Sequence, residues 1–345
     1  MKLLIISDAW QPQVNGVVRT YEHISAEMTK RGHDVKVIGP NEFISTPMPG
    51  YSEIRLALFP YRKLKKMIEN FKPDSIHIAV EGPLGLAARR YCKKHNIAFS
   101  TSYHTHFPDY VAERVGFLPA FLKNIVRNIA IAHVRNFHKL SAMIMVATQS
   151  LEDDLRAWGF TSPMKRLLRG AKTDVFYAGE KTLFKDKPQP IMLFVGRVAI
   201  EKNIEAFLAL NIKGTKVVVG EGPLLEKLQH KYPDVVFAGK RTGQELAEYY
   251  RSSDVFVFPS KTDTFGMVLI EALACGTPVA AYPVTGPKDI ITEPFLGALN
   301  DDLKTAIEQA LSNGTAAERV AHTQAYYTWE SVAETFESYI SGIGY

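Results

Sequence analysis

The feature that most constrains this chain is an alternation, kept up along its whole length, between apolar runs of strand length and segments with helical periodicity. Residues 1–187 contain KLLIIS, DVKVIGP, DSIHIA, IAFSTSYH and AMIMVAT; the remainder contains PIMLFVG, TKVVVGEG, VVFAGK, DVFVFPS and TPVAAYP. Between them apolar residues recur at the helical period, as at Val17, Tyr21, Ile24 and Met28. A strand that is apolar on both faces needs helices over both, the environment of a parallel sheet. The expected fold class is therefore α/β, with two doubly wound sheets. A length of 345 residues also points to about two domains. Periodicity breaks at AGEKTLFKDKPQP, Ala178 to Pro190, which predicts a first domain over 1–185 and a second over 186–324. Residues 325–345 read as a terminal helix with Trp329, Val332, Phe336 and Tyr339 on its apolar face.

Several classes are excluded by what surrounds these runs. No run reaches the ~18 apolar residues of a membrane span, and MKLLIISDAW reads as a first core strand rather than a signal peptide. Cys92 and Cys275 share no metal-ligand or redox spacing, so a reducing compartment and two buried thiols are expected. Charge is distributed unevenly: residues 1–187 hold 28 Lys and Arg against 17 Asp and Glu, whereas 188–345 hold 13 against 19. A basic half beside an acidic half implies an anionic surface or substrate on one side. No nucleic-acid-binding motif accompanies it, and an anionic membrane surface fits the charge pattern as well.

Ligands of open parallel sheets bind beyond the carboxyl ends of the strands, and loops directly after the apolar runs carry the candidate residues. In SDAWQPQVNGVVRTYEHI, Asn15 and Gly16 open a helix whose free N–H groups suit a phosphate; an ordinary N-cap is the competing reading. The G-x-G-x-x-G of dinucleotide sites is absent, and VGEGPLLEKL holds only a G-x-G fragment. In GRVAIEKNIEAF, Arg197 and Lys202 are placed to clamp a diphosphate, or else form a solvated pair. The stretch KTDTFGMVLIEALACGTPVAA gives the strongest signal. Glu271 is placed to accept from vicinal ribose hydroxyls, Asp263 to hold a sugar, and the N–H groups of Phe265, Gly266 and Met267 to face a ligand. In FSTSYHTHFPDY, His104 and His106 alternate beside Tyr103 and Asp109, with no third and fourth metal ligand at a usual spacing. AVEGPLG adds Glu81 as either a solvated turn residue or an acceptor contact.

Together NGVVRT, GRVAIEKN, VGEGPL, SDVFVFPS and DTFGMVLIEAL resemble the retaining glycosyltransferases of family 4. The segments EGPLGLAARR, SYHTHFPDY and TDTFGMVLIEALACGTPVAAYPVTGP narrow this to a branch. It holds GDP-mannose-dependent alpha-mannosyltransferases and the lipid-directed sulfoquinovosyl and diacylglycerol glycosyltransferases. The resemblance implies the GT-B architecture, with two Rossmann-like domains facing across a cleft and the C-terminal helix crossing back to the first. It implies that Glu271 holds the ribose, that Asp263 stands at the donor-sugar acid where Glu is usual, and that Arg197 and Lys202 bind the diphosphate. Gly16 then belongs to the glycine loop over the phosphates, with Asn15 beside it, and His104 lies near the reacting carbon. Lys240 and Arg241 border the base. Glu81, Tyr103, His106 and Asp109 are candidate acceptor contacts.

The same resemblance implies a mechanism with retention, front-face attack and no metal or other cofactor, consistent with the absence of D-x-D. Partners are expected to be a nucleotide diphosphate sugar and a lipid or glycan hydroxyl, with mannose from GDP-mannose favoured. The alternatives are a UDP-sugar-dependent diacylglycerol glycosyltransferase and a non-catalytic GT-B module. Two basic amphipathic stretches, YRKLKKMIENFK and PAFLKNIVRNIAIAHVRNFHKL, predict peripheral contact with an anionic membrane. A cytoplasmic location, on the inner face of the cell membrane, fits both.

Overall fold

A computed structural model describes residues 1–13, 15–48, 51–104, 119–261 and 265–343. It divides into two compact units, one of Met1–Leu168 with Val332–Tyr345 and one of Arg169–Ser331. Each is built on a six-stranded sheet.

In the first unit the strands are β1 (Lys2–Ile6), β2 (Asp34–Ile38), β5 (Ser75–Ile78), β6 (Ser100–Tyr103), β7 (Met143–Val146) and β8 (Met164–Arg166). All pair in parallel in the order β2-β1-β5-β6-β7-β8. Leu3 to Ile6 are fully buried, because helices cover both faces of this strand. A short antiparallel pair, β3 (Ser45–Met48) and β4 (Tyr51–Ala57), stands apart from that sheet.

The second unit holds β9 (Ile191–Val195), β10 (Thr215–Val219), β11 (Val236–Gly239), β12 (Val255–Phe258), β13 (Val279–Ala281) and β14 (Gly297–Leu299). Their order is β11-β10-β9-β12-β13-β14, again all parallel. The chain winds outward from β9 to one edge, then returns to lay β12 on the other side of β9. A doubly wound sheet of this kind has its topological switch point between β9 and β12. In the first sheet the corresponding point lies between β1 and β5.

The expected α/β class with two doubly wound sheets is what the chain adopts. Two strands and the hairpin lie outside the apolar runs. β8 is MKR and β14 is GAL, each three residues long, and neither has enough apolar length to stand out. The units divide after Leu168 and after Ser331, against 185 and 324 read from the sequence. Residues 169–190 lack periodicity but are stitched to the second unit through their backbone. Ala171 N donates to Tyr327 O at 2.8 Å, and Thr182 N and Leu183 N donate to Ser252 Oγ at 3.2 and 3.1 Å. The terminal helix Trp329–Ser341 passes into the first unit at Val332. There Glu337 meets Arg31 Nε at 2.6 Å and His33 Nε2 at 2.9 Å, and Tyr339 Oη donates to Arg166 O. Both cysteines are free and buried, and burial pushes each thiol up to about 12.

Candidate functional site

The two switch points differ in what occupies them. After β1 the chain presents Asp8, which lies at the start of the helix Pro83–His95 that follows β5. Its Oδ1 accepts from Leu84 N at 2.9 Å and its Oδ2 from Gly85 N at 3.0 Å. Gly82 is required there, since a Cβ would come within 2.3 Å of Asp8 Cγ. The anion position of this helix is thus filled by the protein's own carboxylate. Burial pushes Asp8 up to about 6, with the Glu81 charge adding to the rise and the helix N–H groups opposing it. A carboxyl raised in the folded state binds a proton that the unfolded chain releases, so its contribution to stability falls as pH rises from about 4 to 6. We expect a loss of roughly 3 kcal/mol from this group across that window. Asp8→Asn should remove this slope. Relative to the parent, the variant should gain stability in unfolding measurements as the buffer is moved from pH 4 to pH 7.

In the second unit the switch point is lined by the residues picked from the sequence. Arg197 follows β9, and Lys202 ends a 3-10 turn at Ile200–Lys202. This loop is pinned from below: Gly196 N donates to Val219 O, Val198 N to Glu221 O, and Leu224 N to Val198 O. The G-x-G of VGEGPL serves that approach. A Cβ on Gly220 would lie 1.8 Å from Gly196 O and one on Gly222 2.3 Å from Val198 O, so these glycines let two loops touch. Asn203 Nδ2 donates to Pro259 O at 3.0 Å and Ser260 Oγ to Glu201 O at 3.5 Å, tying the loop after β9 to the loop after β12. Arg197 keeps half of its side chain exposed, with Glu201 Oε1 3.8 Å from its guanidinium.

After β12, the helix Met267–Ala274 starts at Gly266, whose φ of 85° is the left-handed cap that glycine favours. Phe265 is buried and meets Tyr327 edge-on. Glu271, one turn into the helix, is 5% exposed and its Oε2 accepts from Tyr250 Oη at 3.1 Å. Tyr250 is fully buried against Phe176 and Phe256, which fixes the donor. Asp263 lies outside the described residues. Lys240 and Arg241 follow β11, the edge strand; Arg241 pairs with Glu245 at 2.9 Å.

In the first unit, Asn15 is the N-cap of the helix Gly16–Lys30, its Oδ1 accepting from Val17 N and Val18 N at 3.0 Å each. Gly16 itself has no positive φ, and among the described residues nothing would meet a Cβ there. His104 follows β6, and its Nε2 lies 3.1 Å from Tyr21 Oη of that helix. Tyr103, expected among the acceptor contacts, is instead fully buried and packs edge-on to His138, Trp158 and Phe160. The alternation of β6 turns it to the core when His104 leaves the strand. Glu81 is engaged by His138 Nε2 at 2.9 Å. His106 and Asp109 lie outside the described residues. Among the described residues no group of three or more His, Cys, Asp and Glu is placed to hold a metal ion.

Sequence reasoning overlooked Tyr21, Tyr250 and Asp8. A tyrosine at a core position of a helix carries a hydroxyl that needs a partner, and that was the available signal for the first two.

Comparison with known proteins assigns both halves. Residues 14–175 match the family model described as Glycosyltransferase Family 4, and residues 179–325 match Glycosyl transferases group 1. The chain belongs to glycosyltransferase family 4. It is 28% identical over 324 residues to a GDP-mannose-dependent alpha-mannosyltransferase of Mycobacterium tuberculosis, covering 87% of this chain and 83% of the relative. It is 26% identical over 378 residues to an alpha-monoglucosyldiacylglycerol synthase of Streptococcus pneumoniae, covering 97% and 83%. Among solved structures, sucrose-phosphate synthase from Thermosynechococcus elongatus superposes with a TM-score of 0.75 at 21% identity, covering 99% of this chain and 98% of that one. This family 4 glycosyltransferase thus has the GT-B fold.

Proposed function

We propose that this enzyme moves a hexose, with mannose from GDP-mannose favoured, from a nucleotide diphosphate to a lipid or glycan hydroxyl. The observation that carries the reading is the second unit's switch point, where Arg197 and Lys202 stand at the end of β9 and a buried, Tyr250-held Glu271 follows β12. A diphosphate needs the cations and a ribose needs the carboxylate. By contrast the first unit's equivalent position is closed by Asp8.

Cleavage of the bond between sugar and diphosphate builds negative charge on the departing phosphate and positive charge on the anomeric carbon. In this reading Arg197, Lys202 and helix-start N–H groups stabilise the former without a metal. Preorganised electrostatic stabilisation of this kind is often the main source of an enzyme's rate enhancement. The acceptor hydroxyl attacks from the face the leaving group departs, its proton passing to that phosphate, so the configuration is retained. In this reading Gly16 belongs to the loop over the phosphates, and His104 and Asp263 are assigned to the donor sugar.

The mannosyltransferase relative supports GDP-mannose, and the diacylglycerol-named relative supports a lipid acceptor; a UDP-sugar donor with a diacylglycerol acceptor is the second reading. Isothermal titration with GDP and UDP separates them, and tight binding of neither sinks both. A non-catalytic module is set aside if radiolabelled donor yields labelled lipid or glycan with the parent enzyme and none with Glu271→Ala.

A membrane-facing acceptor accords with the first unit's surface. Phe121, Ile125 and Ile129 form a stripe on the helix Ala120–His138, and they are 64%, 49% and 65% exposed. Lys123 and Arg127 lie on the other face of this helix, with the Arg127 guanidinium 5.3 Å from the Trp158 ring centroid. Phe59, 96% exposed, precedes the basic helix Tyr61–Phe71. Among the described residues no helix is long and apolar enough to cross a membrane. In this reading the stripe lies in the interface, apolar side chains down, with the cations of the helix Tyr61–Phe71 against anionic headgroups. Co-sedimentation with phosphatidylglycerol vesicles should weaken with added salt. Replacing the three apolar residues by serine should lower it about ten-fold or more. Equal binding to neutral vesicles, or none to anionic ones, would refute this contact.

A further inference from the structure

The first unit's switch point, between β1 and β5, carries acids where the second unit's carries cations. Asp8 follows β1 and Glu81 follows β5, close enough for the Glu81 charge to act on Asp8. Asp8 is 4% exposed and both its oxygens are taken by helix N–H groups, so it offers nothing to a ligand. Glu81 differs. Its side chain keeps 20% of its surface exposed, and Oε1 is held by His138 Nε2 at 2.9 Å. Among the described residues no other donor is bonded to this carboxylate, which leaves Oε2 as an open acceptor.

The histidine that holds Glu81 is itself firmly placed. His138 ends the helix Ala120–His138, and its side chain is fully buried. Nδ1 lies 2.8 Å from Thr101 Oγ1 on β6. The rings of Phe137, Tyr103 and Phe160 pack around the imidazole, with centroids 5.0, 5.8 and 5.8 Å away. Its carbonyl accepts from Ser141 Oγ at 2.7 Å and from Ser162 Oγ at 3.1 Å. A turn acid that merely faced water would be solvated there without any such partner. Here a buried imidazole fixes one oxygen, so the other is pre-oriented and loses little entropy on meeting a ligand.

Ligands of open parallel sheets bind at a switch point beyond the strand ends, and the charge at this one selects among them. A carboxylate only accepts hydrogen bonds, so its partner must bring an O–H or N–H. Two neighbouring acids repel a phosphate, which the cations of the second unit attract. We propose that Glu81 binds a hydroxyl of the acceptor, with His138 as its positioning residue. The unit bound there is an uncharged polyol, from a sugar or a glycerol, and not a phosphate-bearing group. This rests on the reading of the chain as a transferase to a lipid or glycan hydroxyl. It adds the residue that receives this hydroxyl and the chemistry that the position rejects.

The test gives the full chain radiolabelled GDP-mannose, or UDP-glucose if titration selects UDP, with matched acceptors. Methyl α-mannoside is paired with mannose 6-phosphate, and dioleoylglycerol with phosphatidylglycerol. The parent should label the uncharged member of a pair faster by about ten-fold or more. Glu81→Ala should raise the acceptor KM roughly ten- to a hundred-fold, the worth of a hydrogen bond to a charged group. The ratio of transfer to donor hydrolysis should fall with it, while affinity for the nucleoside diphosphate stays that of the parent. His138→Leu should raise the same KM about ten-fold. His138→Gln, whose amide can donate in place of Nε2, should recover most of that loss. Should Glu81→Ala fail to fold, Glu81→Gln keeps the shape, removes the charge and should narrow the preference for uncharged acceptors. Loss of transfer, hydrolysis and nucleotide affinity together would mark a purely structural role and overturn the proposal. So would an acceptor KM unchanged in both Glu81 variants, or a parent that prefers the phosphate-bearing members. A parent that binds neither nucleotide and labels no acceptor overturns the transferase reading instead.

Discussion

Glu271→Ala is expected to lower nucleotide diphosphate affinity by roughly a hundred-fold or more. Hydrogen bonds to a charged acceptor are worth about 1.5–3 kcal/mol each, and a carboxylate spanning vicinal ribose hydroxyls takes two. The side chain is 5% exposed and one oxygen already receives the Tyr250 hydroxyl at 3.1 Å. It therefore enters the site pre-oriented, with little rotamer entropy left to lose on binding. Titration of the parent and the variant with a ribonucleotide and its 2′-deoxy analogue supplies the decisive comparison. The parent should discriminate strongly between the two ligands and the variant hardly at all, which isolates the interaction from general damage. Tyr250→Phe should produce a smaller effect of the same kind, about ten-fold, since it unlocks the carboxylate without removing it. Discrimination that persists in Glu271→Ala would show that the ribose is read elsewhere.

What was legible in the sequence follows from how each feature is encoded. The two sheets were readable because strands such as IMLFV are buried over their full length and leave an unbroken apolar run. Where burial is shared among three residues, as at MKR and GAL, no run exists to read. Arg197, Lys202 and Glu271 could be singled out because strand ends and helix starts are marked by local chemistry. The strand order sets β9 beside β12, so the loops that follow these strands are neighbours. Gly220 and Gly222 were visible as glycines but not as a packing device, because their partners Gly196 and Val198 are remote in sequence. Tyr21 and Tyr250 were hidden for a related reason: each sits at an apolar helix position, and only tertiary contact reveals what its hydroxyl touches. Tyr103 erred in the opposite direction. Next to two histidines it looked like a site residue, yet strand alternation sends it into the core.

The second large effect is expected from the two cations after β9. Removing one preorganised stabiliser of developing negative charge typically costs about 10²–10³ in turnover. Arg197→Ala and Lys202→Ala together should therefore slow transfer by at least about a thousand-fold. Folding should be nearly untouched. The Arg197 side chain is 55% exposed, and its pairing with Glu201 at 3.8 Å has the length and exposure of surface pairs that contribute little. The chemistry of the loss separates a diphosphate clamp from a generic basic patch. A clamp binds nucleoside diphosphate more tightly than nucleoside monophosphate, and the double variant should bind both alike. Arg197→Lys keeps the charge and loses the two-pronged fork, so it should fall between parent and alanine in turnover. Glu201→Gln supplies the reverse change, because it frees the guanidinium from its neighbouring carboxylate; its diphosphate affinity should equal or exceed that of the parent. If the double variant kept its preference for diphosphate over monophosphate, the clamp would have to be built from other residues.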